Sequence, residues 1–272
     1  MKGIKIFLIF LFLIGFLLRF LPVRTDSSFH YWDEAVYLQH AEILGGYRED
    51  NYNEFDFRPP LLPVLITLGY KIYHSVITAH FIVAFIASLG VISTFFLAKA
   101  LFNNEKIAML AAIIFFLNPL HIQLAHDILV DSILPTFWVL AVLFIFLAIK
   151  KEKIIYYSFG GILFSLSILL KFTSLSLFFS VIIIFIIFNF KLKRNLIKII
   201  EDKKILLLFL SSFLILLPYL IFAQIKFGFF LKPFILANMI VNWDTPTPWY
   251  FFFTNFTEIF PLIFLVGIIF NI

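Results

Sequence analysis

The feature that most constrains this chain is a series of apolar runs about 20 residues long, the length that crosses a hydrocarbon core about 30 Å thick. The clear runs are roughly 4–21, 78–100, 107–124, 133–149, 205–223 and 256–271. The stretch 154–190 is too long for one crossing and carries Lys171 at its middle. It reads as two helices meeting at one membrane face, which makes about eight crossings in all. Composition agrees. Hydrophobic residues make up 62% of the chain and charged residues 14%, against about 25% charged in a soluble domain. Such an excess cannot be hidden in a core that still needs a polar skin. The fold class that follows is all-α: a polytopic transmembrane helical protein, read as one domain over 1–272.

Charge is sorted along the chain. With the N-terminus placed inside, the inner connectors hold Lys2 and Lys5, Lys99 and Lys106, Lys150, Lys151 and Lys153, and the basic run 191–204. These are most of the 21 basic residues, and only four acids accompany them: Glu105, Glu152, Glu201 and Asp202. The positive-inside rule predicts this asymmetry, with the N-terminus in the cytoplasm of a cell-membrane protein. The basic surplus then faces anionic membrane lipids. A net charge of +5 does not point to nucleic acid, because no contiguous basic face with interleaved aromatics exists. The first run is preceded by Lys2 and Lys5, as in a signal peptide, but no small-x-small cleavage site follows. It reads as the first crossing. The chain has no cysteine, so thiol chemistry is excluded.

The long outer loop, 22–77, holds most of the outer acids. Tyr37, Ala41 and Leu44 recur at helical spacing, and Gly45-Gly46 stops the helix they imply. The expectation is a helix over Glu34–Leu44 lying flat at the interface. A second short helix is expected from near Pro60 to about Tyr73, since proline favours a first turn.

Three groups carry chemistry: Asp33-Glu34, Arg58-Pro59-Pro60-Leu61, and the connector from Asn118 to Asp131, which includes His126 and Asp127. Lys171 joins them on the same face by topology. Ionisable groups at membrane depth are costly and default to a functional hypothesis. Carboxylates and cations converging on one side suit transfer chemistry on a lipid-linked phosphate: a carboxylate takes a proton from the attacking hydroxyl, and Arg58 or Lys171 holds the phosphate. Each residue also has a plainer reading. Asp33 would cap a helix beginning at Glu34, and Asp131 would cap the fourth crossing. Arg58 would snorkel to headgroups, and Lys171 would anchor a helix end. Trp32, Trp138, Trp243 and Trp249 would sit in the interface belts. His30, His121 and His126, with Asp33 and Asp127, lack the tight ligand spacing of a zinc site. No cofactor is certain, and a divalent metal ion assisting the phosphate stays open.

In this order the motifs resemble those of the polyprenyl-phosphate-dependent glycosyltransferases of the C fold. The chain is most similar to the dolichyl-phosphate-mannose protein mannosyltransferases and their relative, the lipid A aminoarabinose transferase. The resemblance implies that Asp33 is the catalytic carboxylate, with Glu34 beside it. The basic-Pro-Pro-Leu motif falls on Arg58-Pro59-Pro60-Leu61. The second-loop pattern of Ser-Arg followed by Leu-x-Asp falls on Ala125-His126 and Leu129-Val130-Asp131. The glycine-rich helix ending in lysine falls on Gly160-Gly161 to Lys171. Two positions depart from the pattern: His126 stands where the family has arginine, and Phe57 where the aminoarabinose branch has an acid. The similarity runs through most of residues 1–190. It implies transfer of a sugar, with inversion, from a polyprenyl-phosphate donor to a protein or lipid acceptor at the extracytoplasmic face. Arg58, Lys171, Asp131 and His126 would line the phosphate site. The family continues through more helices, so this ending, with no polar tail, fits part of the core, or a truncated inactive one. A lipid-carrier flippase is the alternative from another class. Transporters place charges at the midplane and often repeat internally; neither trait is visible here.

Overall fold

The computed structural model describes residues 2–21, 32–49, 57–175 and 203–241. The expected crossing at 256–271, the second half of 154–190, most of the basic run 191–204, and His30, Trp243 and Trp249 lie outside the described residues. Among the described residues the chain is helical, with no strand. Ten α-helices occur among these residues, in the order α1 (Lys2–Phe20), α2 (Trp32–Gly45), α3 (Leu61–Tyr70), α4 (Val76–Phe102), α5 (Glu105–Phe116), α6 (Pro119–Leu124), α7 (Val130–Lys151), α8 (Ile154–Leu170), α9 (Lys203–Phe227) and α10 (Lys232–Val241). A 3-10 turn, Phe172–Leu175, follows α8. Among the described residues, four helices, α1, α4, α7 and α9, are long and apolar enough to cross a membrane.

Local chemistry sets the breaks. Ser75 caps α4 by accepting the Ile77 amide. Asn103 ends the same helix in the left-handed region, at φ 52°, a conformation asparagine tolerates. Asn104 then caps α5 by accepting the Lys106 and Ile107 amides. The expected crossing at 107–124 is interrupted: Pro119 lacks an amide and disfavours helical geometry in the residue before it. There Asn118 caps α6, its side chain accepting the His121 amide at 3.0 Å. The short α10 escaped the reading of apolar runs, because its 10 residues fall well below a crossing length.

The bundle is held by close approach of small residues. Helix α4 packs against α1, α5 and α7, and α8 packs between α7 and α9. Ala79, Ala87, Ala112 and Ala125 are fully buried, and small side chains let helix backbones approach in lipid. Helices α2 and α3 do not merely rest on the bundle. Tyr37, Leu38, Ala41, Leu62 and Ile66 share one core with Val83, Ile128, Ile133 and Leu170 of the bundle. Leu44, expected on the buried face of α2, is exposed; that face runs instead through Glu34, Tyr37, Leu38 and Ala41.

Helix α8 meets α9 at Gly161, where an added Cβ would run into the Leu208 carbonyl and the Ser211 hydroxyl. Next to it Ser165 donates to the Ser212 carbonyl at 2.8 Å. A Gly161→Ala substitution therefore forces the two helices apart, at a cost of about 1–3 kcal/mol. Thermal unfolding in detergent is expected to show a lowered midpoint. Gly3→Ala, where nothing lies within 4 Å of the added methyl, is expected to leave it unchanged.

The two ends of the bundle differ in charge. One end joins α4 to α5, α7 to α8, and the start of α9. Lys99 meets Glu105 at 3.1 Å there, Lys150 donates to the Ala100 carbonyl, and Lys204 approaches Glu152. The other end gathers the C-terminal ends of α1 and α8, the N-terminal ends of α4 and α7, the α6 connector, and the α2–α3 pair.

Candidate active site

Asp33 lies inside the first turn of α2, not at a capping position ahead of it. Its carboxylate is turned toward the segment that precedes α3. There Pro59 and Pro60 keep the chain from entering a helix early, so α3 starts at Leu61 and Arg58 is left projecting beside α2. Arg58 Nη2 donates to Asp33 Oδ1 at 2.7 Å, a charge-assisted bond of the stronger kind. The guanidinium is flanked by two rings, Tyr37 at 5.7 Å and Phe57 at 5.8 Å from their centroids. Tyr37 follows Asp33 by one helical turn, so both face Arg58. Arg58 is therefore held by packing as well as by charge and does not hang into solvent as a snorkelling side chain would.

Glu34 points elsewhere. It is 2% exposed, and its Oε1 accepts the Ile128 amide at 2.7 Å. This ties α2 to the connector ahead of α7. A buried carboxylate needs such donors.

The second ion pair forms across α7 and α8. Asp131 lies in the first turn of α7, behind the cap residue Leu129. Lys171 is the residue that ends α8, and its Nζ donates to Asp131 Oδ1 at 2.6 Å. The 3-10 turn that follows is fastened by Ser174, which donates to the Ser167 carbonyl and accepts from Trp138 Nε1. Trp138 thus serves the turn that presents Lys171.

Tyr37 lies beside the first pair. It is buried, and burial pushes its phenol up to about 12; Arg58 pulls it down, while Asp33 and Asp131 push it up. At ordinary pH it is a neutral hydrogen-bonding group. Tyr37 was read from sequence only as part of an apolar stripe. Its spacing from Asp33 was the available signal.

His126 takes no part in either ion pair. Its Nε2 donates to the Leu18 carbonyl of α1 at 3.0 Å. Beside it lies a buried group that sequence reasoning passed over. Arg19, fully buried, donates from Nη1 to the Gly15 carbonyl at 3.0 Å and from Nε to His121 Nδ1 at 3.3 Å. The other ring nitrogen, Nε2, lies 2.9 Å from the Ser132 carbonyl. With Nδ1 accepting and Nε2 donating, the ring is consistent with a single neutral tautomer. The strut fixes the end of α1 to the start of α7, next to Asp131. A His121→Ala variant leaves a buried guanidinium short of an acceptor, and is expected to lose about 1–3 kcal/mol of stability. Thermal unfolding measures the loss. Among the described residues, no group of three or more His, Cys, Asp or Glu is placed to hold a metal ion.

The comparisons bear on this end of the bundle. No curated protein and no solved structure matches the chain. A family model does, over residues 57–222, which is more than half of the chain. The matched segment begins one residue before Arg58 and includes His126, Asp131 and Lys171. Asp33 and Glu34 precede it, and the ion pair to Arg58 and the bond to Ile128 bind them to it. With the helical fold and this match, the chain belongs to the dolichyl-phosphate-mannose-protein mannosyltransferase family of membrane glycosyltransferases.

Proposed function

We propose that this chain transfers a sugar from a polyprenyl-phosphate donor to a hydroxyl or amine of a protein or lipid acceptor, at the extracytoplasmic face. The observation that carries the reading is the Asp33–Arg58 contact of 2.7 Å, with Lys171–Asp131 at the same end of the bundle. A general base and two phosphate-binding cations then share one end of the bundle. That end is opposite the lysine-rich connectors, which supports the extracytoplasmic assignment under the positive-inside rule.

The donor joins sugar C1 to a phosphate oxygen in a phosphodiester with one negative charge. Asp33 takes the proton of the acceptor group as its oxygen or nitrogen bonds to C1. The bond from C1 to the phosphate oxygen breaks with its electron pair, and polyprenyl phosphate leaves as a dianion. Arg58 and Lys171 hold the phosphate and meet that growing charge. One displacement inverts the anomeric centre. Asp131 orients Lys171, Glu34 orients the start of α2, and His126 braces the connector against α1.

Dolichyl-phosphate mannose with labelled mannose, presented to the chain in native membranes with their own acceptors, tests the reading. Label is expected to move into protein or lipid with the inverted anomeric configuration. Retention of configuration, or no transfer from any polyprenyl-phosphate sugar tried, would contradict it.

A further inference from the structure

We infer that the Asp33–Arg58 ion pair is a latch which the donor itself opens: the donor phosphate takes the place of Asp33 on Arg58, and that exchange frees the base. The inference rests on the proposed function and concerns the order of events at the same site.

The two proposed roles compete. Arg58 Nη2 lies on the edge that a phosphate would grip, and one of its N–H groups already donates to Asp33 Oδ1 at 2.7 Å. The pair also holds the carboxylate against the guanidinium, so its remaining lone pairs can meet the acceptor's proton only from that position. The partners are unequally free to move. Arg58 has 18% of its side chain exposed and is flanked by Tyr37 and Phe57, whereas Asp33 has 44% exposed and sits on the first turn of α2. In an exchange, the cation stays and the carboxylate swings into solvent.

The guanidinium also has unused capacity. Arg58 Nε is buried and has no hydrogen-bond partner among the described residues. Nε and Nη2 form one edge of the guanidinium, the edge that grips two oxygens of a phosphate at once. Asp33 satisfies half of that edge; a phosphate satisfies all of it. An orphaned buried donor costs free energy, so the exchange relieves a deficit of the unliganded state. Charge is conserved at Arg58, because one anion replaces another. Lys171 and Asp131 are both more exposed than Arg58, and the Lys171 ammonium keeps two N–H donors for phosphate beside the one on Asp131.

The cycle closes without a further reagent. After transfer Asp33 holds the acceptor's proton and is neutral, so it cannot recapture Arg58. Once it passes that proton to water, the carboxylate returns to Arg58 and helps release the polyprenyl phosphate. Donor binding therefore precedes productive engagement of the acceptor.

The test measures binding of farnesyl phosphate, a short polyprenyl phosphate, to the full chain in nanodiscs, alongside transfer from dolichyl-phosphate mannose. Asp33→Asn is expected to lose transfer yet bind farnesyl phosphate about threefold to tenfold more tightly than wild type. A misfolded variant does not gain affinity. In an Arg58→Gln background the same Asp33→Asn change is expected to give no gain, which separates the latch from a general loss of negative charge. A transfer-dead Asp33→Asn with unchanged or weaker binding overturns the latch and leaves Asp33 as the base. A gain that persists without Arg58 also overturns it. Normal transfer by Asp33→Asn overturns the proposed function of Asp33, and the latch with it.

Discussion

Asparagine at position 33 is expected to lower kcat by about 100-fold to 10,000-fold, the span of general acid–base contributions, while the chain stays folded. The side chain is nearly isosteric and half-exposed, and the buried core of α2 is built from Tyr37, Leu38 and Ala41 rather than from Asp33. The fold therefore has little reason to fail. An amide cannot take the proton of the attacking group, so the loss falls on the chemical step. Single-turnover transfer with saturating donor separates this from a binding defect. An intact single-turnover rate would remove Asp33 from the mechanism.

The second large effect is expected at Arg58. Arg58→Gln deletes the charge that meets the leaving phosphate, and removal of one such donor costs about 100-fold to 1,000-fold in rate. It differs from the Asp33 change in where the loss appears. Since Arg58 touches the phosphate in both the ground state and the transition state, both the donor KM and kcat are affected. Arg58→Lys is expected to recover only part of the activity. Lysine restores a point charge but not the planar edge, and it loses the stacking on Tyr37 and Phe57. Steady-state kinetics with varied donor distinguishes the three proteins. Equal activity of the lysine variant would mean that only charge is needed at this position.

The helices were legible in sequence because lipid demands length and apolarity, and both can be read directly. Runs at 78–100 and 133–149 became Val76–Phe102 and Val130–Lys151. Lys171 marked the end of α8 because a lysine cannot lie cheaply in the middle of a crossing. The break at Asn118-Pro119 was in plain sight but was overridden by the apolar count. The site was legible as a set of residues and not as pairs. From the sequence Asp33 and Arg58 are expected in one pocket at the outer rim, but that ion pair and the one between Asp131 and Lys171 span 25 and 40 residues and depend on how helices pack. Glu34 illustrates the same limit. It stands next to Asp33 in the chain, yet a helix turns adjacent residues about 100° apart, so one carboxylate faces Arg58 and the other faces the Ile128 amide. Arg19 was hidden for a related reason: it reads as a polar end to the first apolar run, and its acceptor on His121 lies 102 residues away.

The central claim is that the paired carboxylates and cations at one end of the bundle perform sugar transfer on a polyprenyl-phosphate carrier. The most direct measurement is the stoichiometry of polyprenyl phosphate released against sugar transferred, in sealed proteoliposomes containing the chain, doubly labelled dolichyl-phosphate mannose and solubilised acceptors from native membranes. One polyprenyl phosphate is expected to be freed for each sugar bound to acceptor, at the face opposite the lysine-rich connectors. Intact donor moved across the bilayer, with no polyprenyl phosphate released, would contradict it.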